Sequence, residues 1–220
     1  HFPASEKSAE RIRKLGEEEW RITVSGAPGL DDVLAGKYEA AETVIDKYDI
    51  ESGKKILLLV QHPVTTQFEQ AGQQMATTLD AIESVEEQLI IIYPNSDAGG
   101  DQIIEEIESR TFGDSVKTFH SLPRSEYLGL MAVADVMIGN SSSGIIEAPS
   151  FDLPVVDIGQ RQRGRERAEN TISVPHQTEQ IRDAVKRCLH ESKVRSQAEN
   201  CGNPYDHDGA GEVICETLAE

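Results

Sequence analysis

The sequence predicts an α/β fold, a parallel sheet with helices on both faces, and three observations carry that reading. Short apolar runs of strand length alternate with amphipathic stretches six or seven times along the 220 residues. The amphipathic stretches are long enough to be helices, so parallel strands joined by right-handed crossovers follow. The apolar runs end in polar loops such as Gln61-His62-Pro63, Tyr93-Pro94-Asn95 and Gly139-Asn140-Ser141. In an open parallel sheet ligands bind outside the carboxyl ends of the strands, so those loops are the first place to look for function.

In chain order, a helix is expected over 5–15, a strand over 21–25 and a helix over 31–47. The apolar run 56–61 is the next strand, followed by a helix over 66–84, a strand over 88–93 and a helix over 101–109. Strand 116–119, helix 125–134 and strand 136–138 come next. That strand stops where glycine and hydroxyl residues begin, and a helix over 144–150 starts there. Strands over 155–158 and 171–174 and helices over 177–191 and 209–218 complete the pattern.

Composition sets limits. A chain of this length can bury one good core, and one large domain is the reading here. The net charge of −18, from 39 acidic and 21 basic residues, argues against nucleic acid as a partner, since no basic stripe is present to neutralise a phosphate backbone. The acidity says nothing firm about catalysis. The longest apolar runs have strand length and no signal peptide is visible, so no membrane association is expected. Cys188, Cys201 and Cys215 have no Cys-x-x-Cys spacing, which fits a reducing, cytoplasmic compartment without disulfides or zinc. Asp206-His207-Asp208 reads as a solvated turn, and no metal or cofactor is expected.

The most informative stretch is Gly139-Asn140-Ser141-Ser142-Ser143-Gly144, with Glu147 behind it and Arg161 in the run Gln160-Arg161-Gln162-Arg163-Gly164-Arg165-Glu166. A strand-to-helix junction has unpaired N–H groups and partial positive charge, and Ser141 and Ser142 add hydroxyl donors, so a diphosphate fits there. Glu147 would lie about one turn along, where a carboxylate can accept hydrogen bonds from a ribose diol. The other reading of each piece is ordinary turn and N-cap chemistry for the serines and a solvated turn for the arginines. A Glu flanked by Ile145, Ile146 and Ala148, however, needs a partner. His62 precedes Pro63, which biases it to an extended conformation. Asn95 offers an amide donor, whereas Pro-Asn-x-Asp is also a common turn, and Asp101 at the start of the next helix argues against phosphate contact there.

These segments, with Pro154-Val155-Val156-Asp157-Ile158-Gly159 and Asn203-Pro204-Tyr205, resemble in the same order the C-terminal half of the UDP-N-acetylglucosamine 2-epimerase family. The loops His62-Pro63-Val64-Thr65-Thr66 and Tyr93-Pro94-Asn95-Ser96-Asp97 look like the hydrolysing branch, which releases UDP and N-acetylmannosamine, more than the branch that interconverts the two UDP-sugars. The resemblance implies a Rossmann-like domain, one half of a GT-B-like two-domain enzyme. Residues 1–25 would end a first domain and cross over, 26–204 would form the nucleotide-binding domain, and 205–220 a C-terminal helix reaching toward the missing domain. It further implies that Ser141 and Ser142 bind phosphate, Glu147 the ribose, Leu122 the uracil and Arg161 the diphosphate charge, and that Asn95 donates to the nucleotide with its amide. His62 would be catalytic, touching the diphosphate and supporting departure of UDP as a donor or as a proton carrier. The main acid and base carboxylates would sit in the preceding domain, so this chain alone would bind a UDP-sugar weakly and turn over nothing. Assembly as a homo-oligomer is expected. A GT-B glycosyltransferase donor domain and a non-catalytic sugar-nucleotide module remain open beside this reading.

Overall fold

The computed structural model describes residues 1–83, 85–207 and 209–219. Its elements are α1 (Glu6–Lys14), α2 (Asp31–Leu34), α3 (Ala41–Lys47), β1 (Ile56–Val60), α4 (Ala71–Ile82), β2 (Gln88–Ile92), α5 (Gly100–Ser109), β3 (Val116–Phe119), α6 (Arg124–Val133), β4 (Val136–Gly139), α7 (Ser143–Ile146), β5 (Val155–Ile158), β6 (Thr171–Val174), α8 (Thr178–His190), α9 (Ser192–Glu199) and α10 (Ala210–Ala219). The six strands form one sheet in the order β3-β2-β1-β4-β5-β6. Every pairing is parallel.

The sheet is covered on both faces, and the side-chain alternation of its strands shows why. Leu57, Leu59, Leu89, Ile91, Val136, Ile138, Val156 and Ile158 point into a core built with α4, α5 and α8. Their neighbours Ile56, Leu58, Val60, Ile90, Ile92, Met137 and Val155 point into a second core with α2, α3, α6 and α7. Strands buried on both faces read as continuous apolar runs, which is why β1 and β2 are five consecutive buried residues each. The edge strands β3 and β6 are only half-buried.

Several expectations need correction. Residues 21–25 are not a strand of the sheet: a 3₁₀ turn covers Glu19–Arg21, and the extended backbone beyond it pairs with the chain start instead. Thr23 N–H donates to His1 O at 3.0 Å and Ser25 N–H to Pro3 O at 3.1 Å. The helix expected over 31–47 breaks into α2 and α3, with Gly36 at φ +64° between them. The helix expected over 66–84 begins with a 3₁₀ segment, Thr65–Gln70, in which Gln67 is non-helical; its expected end, Ser84, lies outside the described residues, as does Asp208. The helix expected over 144–150 is the single turn α7 followed by a 3₁₀ turn, Ala148–Phe151, where Pro149 has no N–H to give. Helix α9 was not anticipated. Among the described residues, no helix is long and apolar enough to cross a membrane.

The sheet order reverses between β1 and β4, the two strands that start opposite halves of the sheet, and a crevice opens at their carboxyl ends. Gly139 closes β4 at φ +125°, and a Cβ there would collide with Val60 O of β1. Replacing Gly139 by Ala is therefore expected to destabilise the fold by on the order of 2 kcal/mol or more, through strain and loss of the β1–β4 register. Chemical denaturation reads this directly, and an unchanged midpoint would show that the junction does not need glycine.

Candidate functional site

At the crevice, one buried side chain joins the loops from both sides. Asn140, 1% exposed, follows β4, and its own N–H donates to Val60 O at 3.2 Å. Its Oδ1 accepts from His62 N–H at 2.7 Å and its Nδ2 donates to His62 O at 2.9 Å, so the amide holds both backbone groups of the residue after Gln61. Its carbonyl accepts from Gln162 Nε2 at 2.7 Å and from Arg161 Nη1 at 3.2 Å. The loops after β1, β4 and β5 thus meet on a single residue.

The His62 ring is fixed from the loop after β2, where Asn95 N–H donates to His62 Nδ1 at 3.1 Å. A ring that accepts at Nδ1 is neutral and carries its proton on Nε2, where it can donate. Burial, reinforced by the Arg161 cation and opposed by Asp97, pushes the imidazole down to about 4. The Asn95 amide donates to Asp97 Oδ2 at 2.8 Å, which leaves its second hydrogen uncommitted. Pro63, Val64, Thr65, Asp97, Ser142, Gln160, Arg161, Gln162 and Arg165 line a cleft of about 350 Å³.

The arginine run divides by role. Arg167 donates to Asp157 Oδ2 at 2.9 Å, and that buried carboxylate neutralises it. Arg161 and Arg165 face the cleft with no ion pair among the described residues; burial lowers the Arg161 pKa, Asp97 on the same wall opposes that, and the Arg165 cation adds to it. Two cations in a partly dry cleft favour an anion.

On the serine side, the first turn is short, so the expected helix terminus amounts to four residues. Ser141 Oγ accepts from Ser143 N–H at 3.3 Å, while the N–H groups of Ser141 and Ser142 donate to no described atom. Glu147, 8% exposed, has Oε1 at 3.8 Å from Arg124 Nη1, and its Oε2 has no hydrogen-bond partner. Burial raises its pKa, and the Arg124 cation opposes that rise. Leu122 is half-buried against the second core, just before α6.

Ser142 and Arg161 therefore line one cleft, His62 and Asn95 adjoin it beside the lining residues Pro63 and Asp97, and Ser141 is adjacent through the chain. Glu147 sits beyond α7 beside Arg124 and the Gly29 backbone. No described contact joins Leu122 to these groups. Sequence reasoning missed Asn140, Gln162 and Arg124 as functional positions. Asn140 stood inside the quoted motif, but its role depends on the adjacency of β1 and β4, which no local signal shows.

The unfolded His62 imidazole titrates near 6.5 and the folded one near 4, so between those values the unfolded state binds the proton more readily. Stability is expected to rise with pH across about 4 to 6.5, by up to ~3 kcal/mol, and to be fully present above that window. Denaturation of wild type and His62→Gln across pH 4–7 checks this, since the wild type should carry the steeper slope and the variant only what the likewise partly buried His176 contributes. A His62 resonance that titrates near 6.5 would contradict it.

Comparison with known proteins places these residues in context. A family model described as UDP-N-acetylglucosamine 2-epimerase matches residues 1–219. The chain is 38% identical over 195 residues to the UDP-N,N'-diacetylbacillosamine 2-epimerase (hydrolyzing) of Legionella pneumophila, covering 89% of this chain and 52% of that protein. It is 32% identical over 218 residues to the UDP-N-acetylglucosamine 2-epimerase of Neisseria meningitidis, covering 99% of this chain and 57% of that one. The chain thus spans about half the length of the curated relatives it matches. The crystal structure of the Neisseria meningitidis UDP-GlcNAc 2-epimerase bound to UDP-GlcNAc superposes with a TM-score of 0.79 at 18% identity, over 100% of this chain and 61% of that one. That likeness shows the fold, a Rossmann-like half of the GT-B architecture.

Proposed function

The chain belongs to the UDP-N-acetylglucosamine 2-epimerase family, and we propose that it is the half of a hydrolysing 2-epimerase that holds UDP. One observation carries the reading: a cleft with two cations that lack an ion pair among the described residues lies along the chain from a buried carboxylate, one oxygen of which is unpartnered. A nucleoside diphosphate supplies what each lacks, an anion for Arg161 and Arg165 and a diol for Glu147. Ser141 and Ser142 donate to the phosphates through their hydroxyls and free N–H groups. Asn95 donates with its remaining amide hydrogen, and Leu122 packs on the uracil.

The chemistry follows from where charge develops. Loss of the C2 proton of the sugar and of UDP from C1 leaves a glycal and places negative charge on the departing β-phosphate. Water then adds to the glycal, so UDP-N-acetylglucosamine and water give N-acetylmannosamine and UDP. Groups that hold that charge more tightly in the transition state than in the substrate lower the barrier. His62 acts here as a neutral Nε2–H donor, because Asn95 N–H occupies Nδ1. The proton at C2 is removed by residues outside this chain. The diphosphate beside His62 raises its pKa, since a neighbouring negative charge favours the protonated imidazole.

The hydrolysing outcome is favoured by the name of the Legionella pneumophila relative. The name of the Neisseria meningitidis relative carries no such term, so the non-hydrolysing alternative, in which UDP re-adds to the glycal, stands beside it. The same reading assigns 26–204 to the nucleotide-binding domain and sends α10 toward a preceding domain. Support comes from α10 itself: of its residues only Ala210 is buried, and Leu218 is exposed. We assign the activity to the intact protein, working as a homo-oligomer in the cytoplasm.

In the intact protein, Glu147→Ala is expected to weaken UDP binding and to lower kcat/KM for release of free sugar by about 10–100-fold. UDP-N-acetylglucosamine and UDP-N,N'-diacetylbacillosamine are the substrates to assay. Free 2-epimerised sugar with UDP marks the hydrolysing branch and a UDP-linked epimer the other. Undiminished activity in Glu147→Ala would remove the ribose role.

A further inference from the structure

Arg124, the first residue of α6, lies outside the sequence motifs yet touches three parts of the fold at once. Its Nη2 donates to the Gly29 carbonyl, its Nε lies 3.7 Å from Asp32 Oδ2, and its Nη1 lies 3.8 Å from Glu147 Oε1. The spacing to Glu147 is that of an ion pair without a hydrogen bond, so the carboxylate is held without being consumed. Its other oxygen stays buried and unpartnered. Gly29 fits against both side chains: a Cβ there would stand 3.6 Å from Arg124 Nη2 and 3.6 Å from Glu147 Oε1. The next residue but one, Asp31, accepts from Ala210 N–H at 2.9 Å and Gly211 N–H at 2.8 Å, capping α10. The segment 28–32 is thereby fastened to the buried carboxylate through Arg124 on one side and to the C-terminal helix on the other.

We propose that Arg124 is a positioning residue for nucleotide recognition: it fixes the Glu147 carboxylate so that its free oxygen meets the ribose hydroxyls, while holding the segment 28–32 beside it. This rests on the reading of Glu147 as the ribose acceptor, and it adds a residue on a different helix that sets the preference for ribose over deoxyribose. Arg124 does not itself touch the phosphates. Its loss should therefore leave the anion cleft at Arg161 and Arg165 intact.

The test measures affinities of the intact protein for UDP, 2′-deoxy-UDP and inorganic pyrophosphate. Wild type should prefer UDP over 2′-deoxy-UDP, and Arg124→Ala should weaken UDP about tenfold, nearly erase that preference and leave pyrophosphate unchanged. Arg124→Lys keeps the charge and should restore part of the preference. In a Glu147→Ala background, Arg124→Ala should change the UDP to 2′-deoxy-UDP ratio no further. If Arg124→Ala keeps the wild-type preference, Arg124 does not position Glu147. Equal weakening of all three ligands in both Arg124 variants would overturn the proposal as well, by showing a general structural effect. Absence of any ribose preference in wild type would instead strike at the reading of Glu147 itself.

Discussion

The site depends on the Asn140 amide bridging the carboxyl ends of β1 and β4. In a parallel sheet the chain leaves each strand with backbone groups that the ladder no longer satisfies, and at a buried junction each such group needs a partner. Asn140 supplies an acceptor and a donor to His62 and a doubly used carbonyl to the loop after β5. Gly139 allows the approach, since only a residue without a side chain fits beside Val60 O at that backbone angle. With the amide in place, the orientation of the His62 ring, the position of Arg161 and the walls of the cleft are set together rather than one by one.

Electrostatics then separates structure from function among similar residues. The chain is strongly acidic, so a cation that remains without a carboxylate is conspicuous. Arg167 has Asp157, and Arg110 has Asp80 and Glu106. Arg161 and Arg165 have no such ion pair among the described residues, although Asp97 lines the same cleft, and the neutral His62 imidazole adjoins that cleft through Pro63. Glu147 is the complementary case, a carboxylate in a dry place that Arg124 and, more weakly, Arg165 offset. Buried groups in such a state are costly unless a ligand completes them, which is how a stable fold can hold a preorganised site.

Much of this was legible in the sequence, and the parts that were not share a cause. Strands buried on both faces read as unbroken apolar runs, so β1, β2, β4 and β5 could be placed closely. Residues 21–25 alternate like a strand, yet their partner is the chain start, and pairing is a tertiary fact. Gly36 and Pro149 broke two expected helices through local backbone chemistry that could have been weighed more heavily. Helix α9 buries only Val194 and Ala198, too little apolar surface to leave a clear pattern. In the site, His62, Asn95, Ser142 and Arg161 come to one end of the sheet because each opens the loop after a strand. Arg124 and Asn140 escaped notice because their roles consist of contacts between segments remote in the chain.

The most direct test of the account is a crystal structure of the intact protein with UDP. It predicts the diphosphate between Ser141, Ser142 and Arg161, with His62 Nε2 donating to a phosphate oxygen, Nδ1 still accepting from Asn95 N–H, and the ribose diol on Glu147. UDP bound elsewhere, or bound with Glu147 Oε2 still unpartnered, would contradict it.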